Sequence, residues 1–185
     1  MHTFQLTTER LGLRAYKAED LDAFAAMNAD PLVMEYFPST LDREESKALM
    51  DRMNQRLVDF GFTFWAAELL ATQELIGFIG IVRSAMETDF TPCVEIGWRL
   101  ASQFWGKGLA TEGAKECLRF AFEDEGLPEI YSFTPNTNQP SYKLMQRLGM
   151  KPAGTFNHPY FAAEHRLNPH LLYHLSRQDW EQRKD

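Results

Sequence analysis

The apolar and polar positions along the chain alternate with two different periods, and the changes of period mark its elements. Between Arg10 and Tyr16, Leu11, Leu13 and Ala15 alternate with Arg10, Gly12 and Arg14, which predicts a half-buried strand. From Ala18 to Asn28 the spacing lengthens. Leu21, Phe24, Ala25 and Asn28 fall on one helical face, and Asp30-Pro31 ends it. Asp42-Arg43-Glu44-Glu45 has the spacing of a capping box, and Leu49, Met53, Leu57 and Phe60 form the stripe of a long helix that stops at Gly61. Phe62 to Leu70 and Leu75 to Val82 flank the polar turn Ala71-Thr72-Gln73-Glu74 and predict an antiparallel hairpin. Arg83 to Pro92 is aperiodic and reads as a loop.

Cys93 to Leu100 is the next strand, with Glu95, Gly97 and Arg99 on one face and Val94, Ile96, Trp98 and Leu100 on the other. A helix from Leu109 to about Glu123 carries Ala110, Ala114, Cys117, Leu118 and Ala121 on its apolar side and stops at Gly126. Glu129 to Phe133 is a short strand. Asn138 caps a helix from Gln139 to Leu148, with Pro140 in its first turn and Gly149 after it. Lys151 to Phe156 and His170 to Ser176 close the chain as strands. Seven strands interleaved with four helices, without a repeat or a linker, predict one mixed α/β domain over residues 1–185.

Composition narrows the class without choosing the chemistry. The 44% hydrophobic and 24% charged fractions of the 185 residues are those of an ordinary globular protein. No apolar run reaches membrane-spanning length and the N-terminus lacks a signal-peptide layout, so a cytoplasmic protein with no membrane partner is expected. Cys93 and Cys117 sit in apolar runs and are expected as free thiols in a reducing compartment. A net charge of −7 argues against nucleic acid as a partner and is compatible with a cationic acceptor.

Candidate chemistry gathers at Trp105-Gly106-Lys107-Gly108-Leu109-Ala110-Thr111-Glu112, where a strand runs into a helix. Glycines allow close backbone approach, and the first N–H groups of a helix lack intrahelical partners, so the stretch suits an anion such as a phosphate. From the local pattern alone a plain tight turn is the commoner reading of such a stretch. A P-loop would need glycine at Ala101, and a dinucleotide fingerprint would need a small residue at Thr111; neither fits. Met34, Tyr36 and Phe37 form an aromatic patch that reads as core or as a wall of a substrate pocket. Four of the five histidines, His158, His165, His170 and His174, lie in the tail. No carboxylate or cysteine cluster joins them at ligand spacing, so no metal is expected, and His158 and His174 are candidates to line an acceptor pocket.

Trp105-Gly106-Lys107-Gly108-Leu109-Ala110 resembles the acetyl-CoA pyrophosphate loop of the GCN5-related N-acetyltransferases (GNAT), whose pattern is Arg/Gln-x-x-Gly-x-Gly/Ala. Glu95-Ile96-Gly97-Trp98 before it and Thr111-Glu112-Gly113-Ala114 after it are similar to the RimJ/RimL-like branch. Thr8-Glu9-Arg10-Leu11-Gly12-Leu13-Arg14 looks like that branch's first strand, and Asn138 to Met150 looks like its Asn-x-x-Ser…Leu-Gly-Phe helix. Three segments in order, from about Thr8 to Lys151, carry the resemblance.

The resemblance implies the GNAT acyl-CoA N-acyltransferase fold, a mixed, mostly antiparallel seven-stranded sheet flanked by about four helices. It implies acetyl-CoA as co-substrate and an amine as acceptor, either a protein N-terminus or a small molecule; homodimerisation is compatible with it. Gly106, Lys107, Gly108, Leu109, Ala110 and Thr111 would cradle the pyrophosphate, with Trp105 standing where the wider family has Arg or Gln. Backbone N–H groups near Trp98 and Leu100 would bind the pantetheine and polarise the carbonyl, and Asn138 and Ser141 would face coenzyme A. Met145 stands where many relatives carry a tyrosine acid, and Tyr142, three positions earlier, lies at another angle of the helix. The acceptor amine must be neutral to attack; an α-amine titrates near ~8 and a lysine near ~10.4, so the lysine costs roughly 3 kcal/mol more to deprotonate. Glu95 stands where the family often places its base, and it reads otherwise as a partner of Arg99. Loss of catalysis with retention of the cleft, giving an acyl-CoA-binding module, is the alternative function.

Overall fold

The computed structural model describes residues 4 to 183. Its strands are Leu6–Thr7 (β1), Leu11–Arg14 (β2), Phe64–Leu69 (β3), Glu74–Ser84 (β4), Cys93–Leu100 (β5), Glu129–Pro135 (β6), Lys151–Phe156 (β7) and His170–Ser176 (β8). The helices are Leu21–Ala29 (α1), Arg43–Phe60 (α2), Leu109–Arg119 (α3), Gln139–Arg147 (α4) and Arg177–Glu181 (α5). One sheet runs in the order β1-β2-β3-β4-β5-β6-β8-β7, antiparallel except between β5 and β6. The mixed, mostly antiparallel architecture is as expected, with one strand and one helix more. Two residues of β1 and five of α5 are too short to carry a period; α5 is marked instead by its cap, Ser176, whose hydroxyl accepts the Asp179 N–H.

Strand alternation sorts the core into two layers. On one face Leu11, Leu13, Trp65, Ala67, Ile79, Ile81, Ile96 and Ile130 pack with Leu118, Leu144 and Met145 of α3 and α4. On the other, Ala66 and Phe78 pack with Tyr16, Phe24 and Met27 and with Met50 and Met53 of α2. Of the predicted α2 stripe, Met53 is buried and Leu49 and Leu57 pack partly against the core, while Phe60 is 45% exposed; Ser46 and Met50 complete the buried side. A polar contact brings Ser46 into the buried side: Asn28, fully buried on α1, donates from Nδ2 to the Ser46 hydroxyl at 3.1 Å. The predicted helix from Leu109 to Glu123 is regular only to Arg119; a π-helical turn, Phe120–Asp124, follows, pinned by the Arg119 guanidinium on both Asp124 oxygens.

The feature that makes a site is the failure of two strands to stay together. β5 and β6 meet at Glu95 and Tyr131, and the Ser132 hydroxyl donates to the Ile96 carbonyl at 3.0 Å. Beyond that point they share no ladder, although β5 remains paired with β4 as far as Leu100 and β6 with β8 as far as Pro135. Each wall of the gap is thus held by its own half of the sheet.

Candidate active site

At the mouth of the gap β5 runs through Ser102–Phe104, a single 3-10 turn, into the glycine stretch and α3. Gly106 and Gly108 have φ of +73° and +78°, a left-handed conformation that a side chain disfavours, and nothing stands where a Gly106 Cβ would be. Among the described residues, no protein group accepts from the backbone N–H groups of Gly106 through Thr111; the first helical acceptance here is Glu112 N–H on the Gly108 carbonyl. Six free amides at a helix N-terminus fit a phosphate-sized anion. Trp105 is 46% exposed, and its indole N–H donates to the Leu100 carbonyl at 2.7 Å, tying the loop back to β5. Lys107 Nζ lies 5.3 Å from the Phe104 ring centre.

Two of the motif segments meet here. Glu112 accepts from the Thr8 hydroxyl at 2.6 Å, from the Arg10 N–H at 2.9 Å and from Arg10 Nε at 2.6 Å. Arg10 Nη1 also donates to the Lys107 carbonyl at 3.0 Å, so the β1–β2 turn clamps both the loop and the start of α3. Partial burial alone would raise the Glu112 pKa; the Thr8 and Arg10 donors outweigh it and hold the carboxyl below its ordinary value. Arg10 was legible only as part of a strand motif, because its partners lie about a hundred residues away.

Ala101 N–H bonds to the Ile76 carbonyl of the β4 side, and the alternation this sets turns the Trp98 and Leu100 N–H groups toward β6, across the gap. Glu95 sits where the gap begins. Burial pushes its carboxyl up to about 7, against the pull of Arg56 and the Ser84 hydroxyl, and its Oε2 is buried without a hydrogen bond. Glu95 and Arg99 do not pair. Nearby Cys93 is raised to about 12, by burial first and then by Glu95 and Glu129; Cys117 is fully buried and raised further, so neither is poised as a thiolate.

On the far wall, Asn138 is occupied at both ends: Oδ1 accepts the Ser141 N–H at 3.3 Å and Nδ2 donates to the Thr134 hydroxyl at 2.9 Å. The Ser141 hydroxyl makes no hydrogen bond among the described residues and is partly exposed. Met145 is 1% exposed and belongs to the core, whereas Tyr142 only packs against it.

The proposed pocket residues separate into three places. Phe37 lies over the Arg99 guanidinium, 3.8 Å from ring centre to Cζ, and half-buried Tyr36 precedes it. Arg166, from the loop before β8, donates to the Glu35 and Phe37 carbonyls at 2.6 and 2.7 Å and so spans from one half-sheet to the other. His158 joins an aromatic cluster with Phe133, Phe156, Phe161 and His170; its ring lies 5.0 Å from that of His170. Burial lowers the pKa of both, His170 to about 4 with His158 adding to the shift. His174 is elsewhere, paired with Glu129 at 3.0 Å. A pocket of about 430 Å³ opens beside the cluster, between Glu87, Asp89 and Phe90 and the β7 residues Thr155 and Phe156. Among the described residues no group of three or more His, Cys, Asp or Glu could hold a metal, and no helix is long and apolar enough to cross a membrane.

A sheet that divides beside a helix N-terminus with free amides defines a cleft suited to a phosphate-bearing ligand, and the relatives supply its class. Residues 10–151 match the Acetyltransferase (GNAT) domain family. The uncharacterized N-acetyltransferase YnaD of Bacillus subtilis is 30% identical over 82% of this chain and 85% of its own length. The FsC-acetyl coenzyme A-N(2)-transacetylase of Aspergillus fumigatus is 28% identical over 95% of this chain and 77% of its own length. A crystal structure of an acetyltransferase from Agrobacterium tumefaciens superimposes with a TM-score of 0.76 at 26% identity, covering 95% of each chain. This chain belongs to the GNAT family and is an N-acetyltransferase, a fold and family whose co-substrate is acetyl-CoA.

Proposed function

We propose that the protein is a cytoplasmic, RimJ/RimL-like enzyme that moves the acetyl group of acetyl-CoA to a primary amine, a protein N-terminal α-amine or a small-molecule amine, without a metal. The observation that carries this reading is Glu95: a buried carboxyl raised to about 7, with a free oxygen, at the point where β5 and β6 part. A base is most useful when its pKa lies near the working pH, and a carboxylate at ~4.3 would be too weak. A binding module would gain nothing from such a group, so the site favours catalysis over the acyl-CoA-binding alternative.

Acetyl-CoA, when bound, supplies an activated acetyl thioester. The amides of Gly106 through Thr111 hold its pyrophosphate, with Arg10 fixing the loop from behind. The N–H groups of Trp98 and Leu100 bind the pantetheine and polarise the acetyl carbonyl. Glu95 accepts the proton of the acceptor amine, and the unbonded Ser141 hydroxyl is the donor for the leaving sulfur. Asn138 shapes the helix start that presents Ser141 and is a positioning residue in this scheme. Acetyl transfer to a panel of amines and Ser- or Ala-starting peptides, followed from pH 5.5 to 9, tests the reading. Activity that rises through about pH 7 and disappears in Glu95→Gln supports it; no thermal stabilisation by acetyl-CoA overturns it.

A further inference from the structure

Arg99 is a half-buried cation with no carboxylate partner among the described residues. Its Nη1 donates to Asn28 Oδ1 at 2.8 Å, and Asn28 is fixed in turn by Ser46. The Phe37 ring covers one face of the guanidinium. Nε is buried and has no partner, Nη2 makes no hydrogen bond either, and among the described residues no carboxylate pairs with Arg99. The Nε–Nη2 side of a guanidinium is one of the edges that grip a carboxylate bidentately, and here it has no protein partner. The Tyr16 hydroxyl, also buried without a partner, lies close enough to interact with Arg99 electrostatically. Buried polar groups are usually satisfied, so an arginine that is half-buried and has no carboxylate of its own is a candidate to take one from a ligand.

Their location fits an acceptor. Arg99 and Glu95 lie on the same face of β5, about 13 Å apart along the strand, with the side-chain-free Gly97 between them. The edge of the Phe64 ring occupies the space where a Gly97 Cβ would be, giving an apolar floor between the base and the guanidinium. Glu95 stands at the closed end of the β5–β6 gap and Arg99 further toward its mouth. We propose that the acceptor is an amine that carries its own carboxylate, an amino-acid-type small molecule, and that Arg99, oriented by Asn28 and Phe37, binds that carboxylate while the amine faces Glu95. This deepens the acetyltransferase reading and rests on it.

The test is a set of matched pairs: the proteinogenic amino acids, β-alanine, 4-aminobutyrate and 6-aminohexanoate, each against its primary carboxamide. Chemistry alone favours the carboxamides, whose amines are the less basic and so the more often neutral. The proposal expects at least one acid to be acetylated with kcat/KM tenfold or more above its amide, and to stabilise the coenzyme A-bound protein where the amide does not. It expects Arg99→Met to bring that ratio to about one, with acetyl-CoA binding by calorimetry retained as proof of a folded variant. Should Arg99→Met fail to fold, the wild-type ratio and stabilisation decide alone. Amides or Ser- and Ala-starting peptides used as well as every acid, or no acid used at all while acetyl-CoA binds, overturns the carboxylate site and leaves the family activity standing. Failure to bind acetyl-CoA would remove both.

Discussion

Arg14 and Arg99 occupy one cross-strand row, Arg14-Ala66-Phe78-Arg99, about 14 Å apart on the same face of the sheet. Arg14 is sealed: its Nη1 and Nη2 hold Asp20 at 2.6 and 2.8 Å, its Nε holds Glu68 at 2.6 Å, and all three side chains are at most 4% exposed. Burial alone would lower its pKa, but those two carboxylates outweigh it and raise it. Arg99 has one amide oxygen and aromatic faces, and burial lowers its pKa to about 10 despite the opposing pull of Tyr16. The same residue type in the same row is structural where its charge is closed and a candidate binding group where it is open. The difference lies in what the other strands and helices bring, not in the arginine.

The sharpest way to break this contrast is to remove the closed cation. Arg14→Met leaves Asp20 and Glu68 as buried carboxylates without their arginine and is expected to cost about 3–5 kcal/mol in urea unfolding. A loss below about 1 kcal/mol would mean that the cluster contributes little. Glu95→Gln comes next. General base catalysis is worth about 100-fold or more, so its kcat at pH 8 is expected to fall by at least that factor, and the rise of wild-type activity through about pH 7 should flatten.

The same substitution has a stability signature with a definite sign. The folded carboxyl titrates at about 7 against an ordinary 4.5, so the folded state keeps a proton that the unfolded state has already released between those values. Stability contributed by the neutral carboxyl is present below about 4.5 and is lost as pH rises to about 7. Glu95→Gln is therefore expected to stabilise the protein more at pH 8 than at pH 5, by roughly 3 kcal/mol at most. Equal effects at both pH values would count against the perturbed carboxyl.

Arg99→Met is expected to cost about 1–3 kcal/mol, less than Arg14→Met, since it strands the Asn28 amide oxygen but no carboxylate, while abolishing preference for a carboxylate-bearing acceptor. An unfolding cost as large as that of Arg14→Met would erase the distinction between the two arginines. Arg10→Met removes a partly exposed ion pair, with side-chain exposures of 44% and 19% for Arg10 and Glu112. A loss of about 1 kcal/mol or less is expected, together with a several-fold rise in KM for acetyl-CoA as the loop loosens. His174→Asn is expected to do least, within about 0.5 kcal/mol and without effect on turnover, because its pair with Glu129 is surface-exposed and stands apart from His158.

Much of this architecture was legible along the chain. Capping boxes, glycine stops and alternation are local signals, so seven of the strands and four of the helices are where periodicity places them. The motif segments around Gly106, Thr8 and Asn138 also carried the family. What escaped were contacts between residues distant in sequence: Asn28 on Ser46, which ties α2 to α1; Arg10 on Lys107, which clamps the loop; Arg166 on Phe37, which spans the two halves of the sheet. No spacing rule announces such pairs. The histidines show the same limit. His158 and His174 belong to one tail, but the fold sends one into an aromatic cluster and the other to Glu129.

Glu95, Gly97 and Arg99 were readable from their alternation as neighbours on one face of β5, and their chemistry was not. Alternation assigns a side chain to a face at the cost of only two or three neighbours in sequence. Ionisation depends on desolvation and on partners supplied by remote elements, and these do not exist until the sheet, α1 and the loop carrying Phe37 have packed. Thus the donor loop and the order of elements belong to the chain itself. The raised carboxyl of Glu95, the closed charge of Arg14 and the open one of Arg99 belong to the packing.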